Sequence, residues 1–298
     1  MSPPLIFDRA LIRRRLARAE RAGAAEFLIS HVAADLVDRL SPILRSFGLA
    51  VDLGGATGHG ARALARSGRV ETVIRLPALP PLQRNGFPAA VAEEEALPLA
   101  AESVDLVVSL LALQGVNDLP GALAQIRRAL RPDGLFVACL FGGETLTELR
   151  QSLASAETEL AGGISPRVAP FADVRELGAL LQRVGFALPV TDVEKLTVRY
   201  SDPLALMRDL RAMGMTNPLV ERGRAPLNRR TLARAGEIYA ERFADADGRL
   251  RASFDLVWLS GWAPHASQQQ PLRPGSAKAR LAQALGTTEI AAGEKAKP

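Results

Sequence analysis

The sequence predicts an α/β fold, a parallel sheet covered by helices on both faces. Three observations carry that reading. A short apolar run, Leu49 to Leu53, enters a glycine turn and then a helical pattern. Apolar runs and amphipathic stretches alternate from there to about Phe141. A late alternating segment, Ser253 to Leu259, has the period of an antiparallel strand added to the sheet.

The elements follow in order. Leu49 to Leu53 is a buried strand, Gly54-Gly55-Ala56-Thr57-Gly58 the turn, and Gly60 to Ala65 the helix behind it. Glu71 to Arg75 and Val104 to Leu111 are the next strands. Asp118 is a good N-cap with Pro120 in the first turn, and Leu119, Leu123, Ile126 and Leu130 line one face of a helix. Arg131-Pro132-Asp133-Gly134 ends that helix and turns into the strand Leu135 to Phe141. Past Gly142-Gly143 come an amphipathic helix over Leu146–Leu160 and a second from Asp173, closed by Gly185. Phe186 to Val190 and Lys195 to Tyr200 are expected as two strands, with helices near 203–213 and 231–243 before the last strand. The implied division is an N-terminal helical segment over 1–47, a sheet domain over 48–265 with a helical insertion at 201–245, and a polar tail over 266–298.

Composition removes several classes. With 48% hydrophobic residues the chain is too apolar to be disordered, and the single Cys139 excludes a disulfide framework. No run approaches the ~18–20 apolar residues of a membrane helix. The start, Met1 to Phe7 running into Asp8 and Arg9, has no secretory pattern, so the expected location is cytoplasmic, with peripheral membrane association left open. The net charge of +5 is almost all arginine, since only Lys195, Lys278, Lys295 and Lys297 are lysines. With aromatics at 5%, that excess gives no reason to expect a specific nucleic-acid partner. One cluster stands apart: Arg9, Arg13, Arg14, Arg15, Arg18 and Arg21. It is either the solvated face of a helix or a docking surface for an acidic ligand or partner.

The glycine turn is neither a phosphate loop, because no Gly-Lys-Ser/Thr follows, nor the dinucleotide fingerprint, whose glycines are spaced otherwise. Asp52-Leu53-Gly54-x-x-x-Gly58, with Asp105 to Ser109, Val116-Asn117-Asp118-Leu119-Pro120 and Leu130-Arg131-Pro132-Asp133-Gly134 in order behind it, resembles the motif series of class I S-adenosylmethionine-dependent methyltransferases. Phe7-Asp8-Arg9, Phe141-Gly142-Gly143-Glu144-Thr145-Leu146, Gly162-Gly163-x-Ser165-Pro166 and Gly261-Trp262 extend the resemblance from Phe7 to about Ser276. They are similar to a subfamily of respiratory complex I assembly factors that hydroxylate an arginine, above all its alphaproteobacterial members. The malonyl-carrier-protein methyltransferases of biotin synthesis are more distant relatives.

The resemblance implies a Rossmann-like seven-stranded sheet, mostly parallel with an antiparallel last strand, and a helical cap on the substrate side. It implies S-adenosylmethionine as cofactor. Asp52, Gly54 and Gly58 would hold its methionine end, where glycines admit the backbone and an acid takes the amino group. Glu93 and Glu94 would lie near the adenine amino group, Ser109 and Leu110 beside the cofactor, and Asp8 and Arg9 in a segment closing over it. The implied partner is a protein or carrier-bound substrate, a complex I subunit among them.

Four positions depart from the family pattern. Ala56 stands where a glycine is usual and Glu93 where an aspartate is usual. Gln114-Gly115 replaces His-Trp, and Arg75-Leu76-Pro77 offers no acid for the ribose hydroxyls. A hydrogen bond to a charged partner is worth ~1.5–3 kcal/mol, so the missing acid predicts binding weakened roughly ten- to a hundredfold or lost. Three readings stay open: a methyltransferase, a cofactor-free assembly factor on the same fold, and an arginine hydroxylase. His31, His59 and His265 lack metal-ligand spacing, and Cys139 in an apolar strand is a core residue. Asp245-x-Asp247-Gly248 resembles a calcium loop but has Leu256 where a glutamate is needed, so it is a turn. Trp258 and Trp262 are expected to pack.

Overall fold

A computed structural model of the chain describes residues 5–82, 86–223, 227–269, 276 and 279–288. One compact unit runs through Pro264 and a second begins at His265. The described tail contains a short helix, Leu281–Ala284, whereas Lys278, Lys295 and Lys297 lie outside the described residues.

The first unit opens with two helices, α1 (Arg9–Ala22) and α2 (Phe27–Leu40), before strand β1 (Phe47–Leu53). After β1 come α3 (His59–Arg66), β2 (Val70–Leu76), β3 (Val104–Leu110), a 3₁₀ turn (Leu113–Gly115), α4 (Leu119–Ala129) and β4 (Leu130–Phe141). The second half is α5 (Thr147–Ala161), α6 (Val174–Val184), β5 (Ala187–Tyr200), α7 (Pro203–Ala212), α8 (Arg229–Phe243) and β6 (Leu250–Trp262). The sheet order is β2-β1-β3-β4-β6-β5. Strands β2, β1, β3 and β4 are parallel, and β6 runs antiparallel to both β4 and β5.

Two cores sandwich the sheet, because buried side chains alternate across each strand. In β4, Leu135, Val137 and Cys139 face α2, α3 and α5, while Phe136, Ala138 and Leu140 face α4 and α6. Helices on both faces follow, as the sequence implies. Cys139 is 1% exposed and burial pushes its thiol well up, so it is core. Trp258 is buried with the Arg39 guanidinium 4.3 Å from its ring centroid. Asp245 and Asp247 both pair with Arg199 and close a turn.

The sheet has six strands among the described residues, not the seven that the resemblance implies. Where another strand would extend the β2 edge, the described residues make a single isolated bridge, Ala89 to Arg75. Its flanking bonds are Arg75 N–H to the Pro88 carbonyl (2.8 Å) and Ala90 N–H to the Arg75 carbonyl (3.0 Å). Pro77, Pro80, Pro81 and Pro88 have no N–H to give, so no ladder propagates. The two strands expected after Gly185 are instead one, β5, with a register shift between Ala187 and Val190. Strand β4 likewise starts early, at Leu130, with Asp133 in a left-handed turn at φ 62°.

Candidate functional site

The site lies at the carboxyl ends of the parallel strands, where β1 hands the chain to α3. Asp52 ends inside the protein at 0% exposure. Its Oδ2 accepts the Ala61 N–H at 2.9 Å, anchoring the first turn of α3, and its Oδ1 is buried without a partner. Burial pushes this carboxyl up to about 6, against the opposing pull of the Ala61 N–H and of Arg75 and Arg62. The glycines around it are steric requirements. A Cβ on Gly55 would stand 2.6 Å from Asp52 Oδ2, and one on Gly60 would also run into the carboxylate. Gly54 and Gly58 hold φ of 79° and 72°, a region costly for residues with a Cβ.

Arg75, at 1% exposure, occupies the end of β2. Its Nη2 donates to the Gly55 carbonyl at 2.8 Å and the Ala56 carbonyl at 2.7 Å, and its Nε is buried without a partner. A guanidinium therefore clamps the glycine turn from the side where the resemblance implies an acid.

The turn forms one end of a cavity of about 410 Å³. Asp52, Gly54, Glu94, Leu110 and Arg9 line it together, whereas Asp8, Gly58, Glu93 and Ser109 stand behind its wall. Ser109 Oγ donates to the Leu53 carbonyl at 3.1 Å and so braces β1 from beneath. Asp8 is the N-cap of α1, accepting the Leu11 N–H at 2.9 Å, and it pairs with Arg222 at 3.3 Å. Arg9 reaches Glu93 and Glu94, and Arg13 reaches Glu93. Burial pushes the Glu94 carboxyl up against the pull of Arg9. In Glu93 burial acts the same way, but Arg9 and Arg13 hold that carboxyl below its ordinary range.

Helix α1 closes the roof. Asn117 Oδ1 accepts the N–H groups of Ile6 and Phe7, each at 2.8 Å, and Asp8 N–H donates to the Pro218 carbonyl at 2.8 Å. Opposite the glycine turn, α5, α7 and the segment after α7 supply Leu149, Leu153, Met207, Leu210, Met213 and Met215. All methionines beyond Met1 therefore line this cavity. Their clustering within ten positions was a readable sign of an adaptable apolar surface. Leu111 and Leu146 line it as well, in left-handed backbone at φ 52° and 56°, conformations that store strain in a bulky residue. Gln114 Nε2 donates to the Leu111 carbonyl at 2.8 Å, and its Oε1 is buried without a partner.

The histidines form no cluster: His31 pairs with Glu194 at 2.7 Å and His265 bonds Ser267 at 2.7 Å. His59 bonds Thr57 at 2.8 Å, where burial and Arg62 keep it below its ordinary range. Among the described residues no group of side chains is arranged to hold a metal ion. Nor is any helix among them long and apolar enough to cross a membrane.

These residues fit one end of S-adenosylmethionine better than the other. The buried acceptor Asp52 Oδ1 needs a donor, and an α-ammonium supplies it beside the N-terminus of α3. On β2, where the resemblance implies an acid for the ribose hydroxyls, Arg75 can only donate and does not line the cavity.

A substitution tests the packing of the turn. Gly54→Ala places a methyl at φ 79° that overlaps the Ala112 methyl. The expected cost is about 1–3 kcal/mol in urea unfolding, with ligand affinity falling at least about tenfold in the same preparation.

Comparison with known proteins agrees with this geometry. The methyltransferase-domain family matches residues 51–138, from β1 through most of β4. The arginine-hydroxylase NDUFAF5 of Mus musculus is 39% identical over 97% of this chain and 87% of its own length. The Homo sapiens protein of that name is 40% identical over 91% and 81%. Malonyl-[acyl-carrier protein] O-methyltransferase of Halorhodospira halophila is 35% identical over 88% of this chain and 90% of its own. Among solved structures, the YcgJ protein of Bacillus subtilis superposes with a TM-score of 0.54 at 14% identity, covering 79% of this chain and 99% of its own, which supports the fold. The chain thus belongs to the S-adenosylmethionine-dependent methyltransferase family, in the branch that joins the NDUFAF5 arginine-hydroxylases to the malonyl-[acyl-carrier protein] O-methyltransferases.

Proposed function

We propose that this protein binds S-adenosylmethionine over Asp52 and the Gly54–Gly58 turn and acts on a protein or carrier-bound substrate in the assembly of respiratory complex I. The observation that carries the reading is the buried, unpartnered Oδ1 of Asp52, a residue that lines the cavity at the start of α3, in a chain of this family. The complex I role follows the subfamily resemblance of the sequence. When bound, the cofactor supplies an electrophilic methyl group. The chain's own work is positional: Asp52 holds the ammonium, the first turn of α3 receives the carboxylate, and the apolar walls under α1 and α7 exclude water. Calorimetric titration with S-adenosylmethionine and S-adenosylhomocysteine is expected to show saturable binding below about 1 mM. No heat at that concentration overturns the reading.

A second reading has its own observation. Arg75, a donor-only group held on the Gly55 and Ala56 carbonyls, stands on β2 where the resemblance implies the ribose acid, which suits an assembly factor that has kept the fold and dispensed with the cofactor. Complementation of a deletion strain separates the two. Rescue lost on Asp52→Ala supports cofactor use, and rescue retained supports the second reading. Mass spectrometry of the complex I subunits from the same strains distinguishes an added methyl from an added oxygen, the latter being the change that the name of the NDUFAF5 relatives describes.

A further inference from the structure

Helices α1 and α7 pack against each other, and each carries arginines at helical spacing. On α1, Arg14, Arg18 and Arg21 are exposed, four and then three residues apart. On α7 the same intervals hold Leu204, Arg208 and Arg211, also exposed. Residues at such intervals share one helix face. Among the described residues, Arg14, Arg18, Arg21 and Arg211 have no ion pair and no side-chain hydrogen bond, and Arg208 comes only within 3.9 Å of Asp202. Positive charge is crowded here. Burial, with Arg222 and Arg18 beside it, holds the Arg15 guanidinium below its ordinary range.

Exposed aliphatic side chains border these arginines. The segment after α7 runs back along α1: Ala25 N–H donates to the Ala212 carbonyl at 3.3 Å and Val220 N–H to the Ile6 carbonyl at 2.9 Å. Val220 is thereby set beside Ile6 and Leu5, all three exposed, Leu5 at 66%. An ordinary solvated helix mixes and pairs its charges, as Arg234 on α8 does with Glu159 and Glu237. Unpaired cations beside exposed aliphatics are the composition of helices that lie at a membrane interface. Guanidinium forks match phosphate oxygens two at a time. Lipid headgroups move laterally to meet arginines on two helices. An acidic protein would need carboxylates at matching positions and an apolar patch over Leu5, Ile6 and Val220 as well.

We propose that the arginine stripes of α1 and α7, with Leu5, Ile6 and Val220 beside them, form a docking face for the anionic surface of a phospholipid bilayer. Arg14, Arg18, Arg21 and Arg211 meet the lipid phosphates, and the aliphatic side chains enter the boundary of the acyl chains. The face uses none of the residues that would hold the cofactor, so it stands or fails apart from the function proposed above. Leu16 and Arg211 also line the cavity, so docking sets that side of the cavity toward the lipid.

The test is co-sedimentation of the full chain with vesicles of phosphatidylcholine alone or mixed with phosphatidylglycerol. Binding to the mixed vesicles, weakened by salt, is expected, with little binding to phosphatidylcholine alone. An arginine near an anionic leaflet strengthens binding about fivefold, so Arg14→Gln/Arg18→Gln/Arg21→Gln is expected to bind ~30–100-fold more weakly. A control that removes three exposed arginines from α4 and α6, Arg128→Gln/Arg175→Gln/Arg183→Gln, is expected to lose much less. Leu5→Ser/Ile6→Ser is expected to weaken the binding that persists at high salt. No binding to the mixed vesicles, equal binding to both kinds, or equal loss in the two triple variants each overturns the proposal. So does displacement from the vesicles by poly-glutamate at matched charge, which would assign the face to an acidic polypeptide. Should the α1 variant fail to fold, hydrogen exchange on the wild-type chain decides. Slower exchange over residues 9–22 with the mixed vesicles alone supports the face, and unchanged exchange overturns it.

Discussion

Asp52→Asn is expected to make the protein more stable at pH 7.5 and to weaken S-adenosylmethionine binding at least about tenfold. Both effects come from one buried carboxyl. Burial raises Asp52 from 3.8 to about 6, with the Ala61 N–H and Arg75 opposing. A carboxyl whose folded value lies above its unfolded one binds its proton more tightly in the native state. Ionisation therefore costs the native state, fully above pH 6, progressively less between 6 and 3.8, and nothing below 3.8. The shift corresponds to a penalty on the order of 3 kcal/mol at neutral pH. Asparagine does not titrate and still offers an oxygen to the Ala61 N–H. Its second polar atom stays unsatisfied, so about 1–2 kcal/mol of that penalty is expected back. Urea unfolding of both proteins from pH 4 to 7.5 checks this. The advantage of the variant should shrink steadily as pH falls through 6, and parallel curves would refute the assignment. Affinity moves the other way, because the ammonium then meets an amide. In the wild type, binding should weaken as pH falls below 6.

The same residue shows why some of this site was legible in the sequence and some was not. Strand, glycine turn and helix are encoded locally: Asp52 must sit under Gly55 and Gly60, and the residue types say so in one stretch. Arg75 is encoded by nothing local. In the pattern of β2 an arginine reads as a solvent-facing residue, and it is the Gly55 and Ala56 carbonyls, about twenty residues away, together with the Asp52 carboxylate, that make its burial tolerable. Two strands are expected where the structure has β5, with Asp192 and Glu194 falling between them. They lie instead on the open side of an edge strand, paired with Arg39 and His31. The arginine cluster resolves by helical geometry. Arg14, Arg18 and Arg21 are exposed, whereas Arg9, Arg13 and Arg15 turn toward partners, Arg15 donating to the Thr216 carbonyl at 2.8 Å. The missing seventh strand was written in the prolines, but their effect depends on which strand they would have had to pair with.

Arg75→Met is expected to cost about 2–4 kcal/mol at pH 7.5 and distinctly less at pH 5. Methionine matches the length of the arginine stem and gives up the charge. The Gly55 and Ala56 carbonyls lose their shared donor, which loosens the turn at any pH. The larger part of the loss is electrostatic. Arg75 is a cation that favours ionised Asp52 at the strand ends, so without it Asp52 titrates above its present value of about 6. At pH 7.5 the native state then carries a buried carboxylate with less compensation, and at pH 5 the carboxyl is already protonated and needs none. A double-mutant cycle isolates this term. Once Asp52→Asn has removed the charge, Arg75→Met should cost only its two hydrogen bonds, leaving a coupling above about 1 kcal/mol at pH 7.5 that fades toward pH 5. Effects that add at both pH values would mean that Arg75 acts on the turn alone. Coupling of the expected size would mean that the cation at the end of β2 keeps Asp52 charged near neutral pH. That result would account for an ionised acceptor at Asp52 beside a strand end that carries no acid.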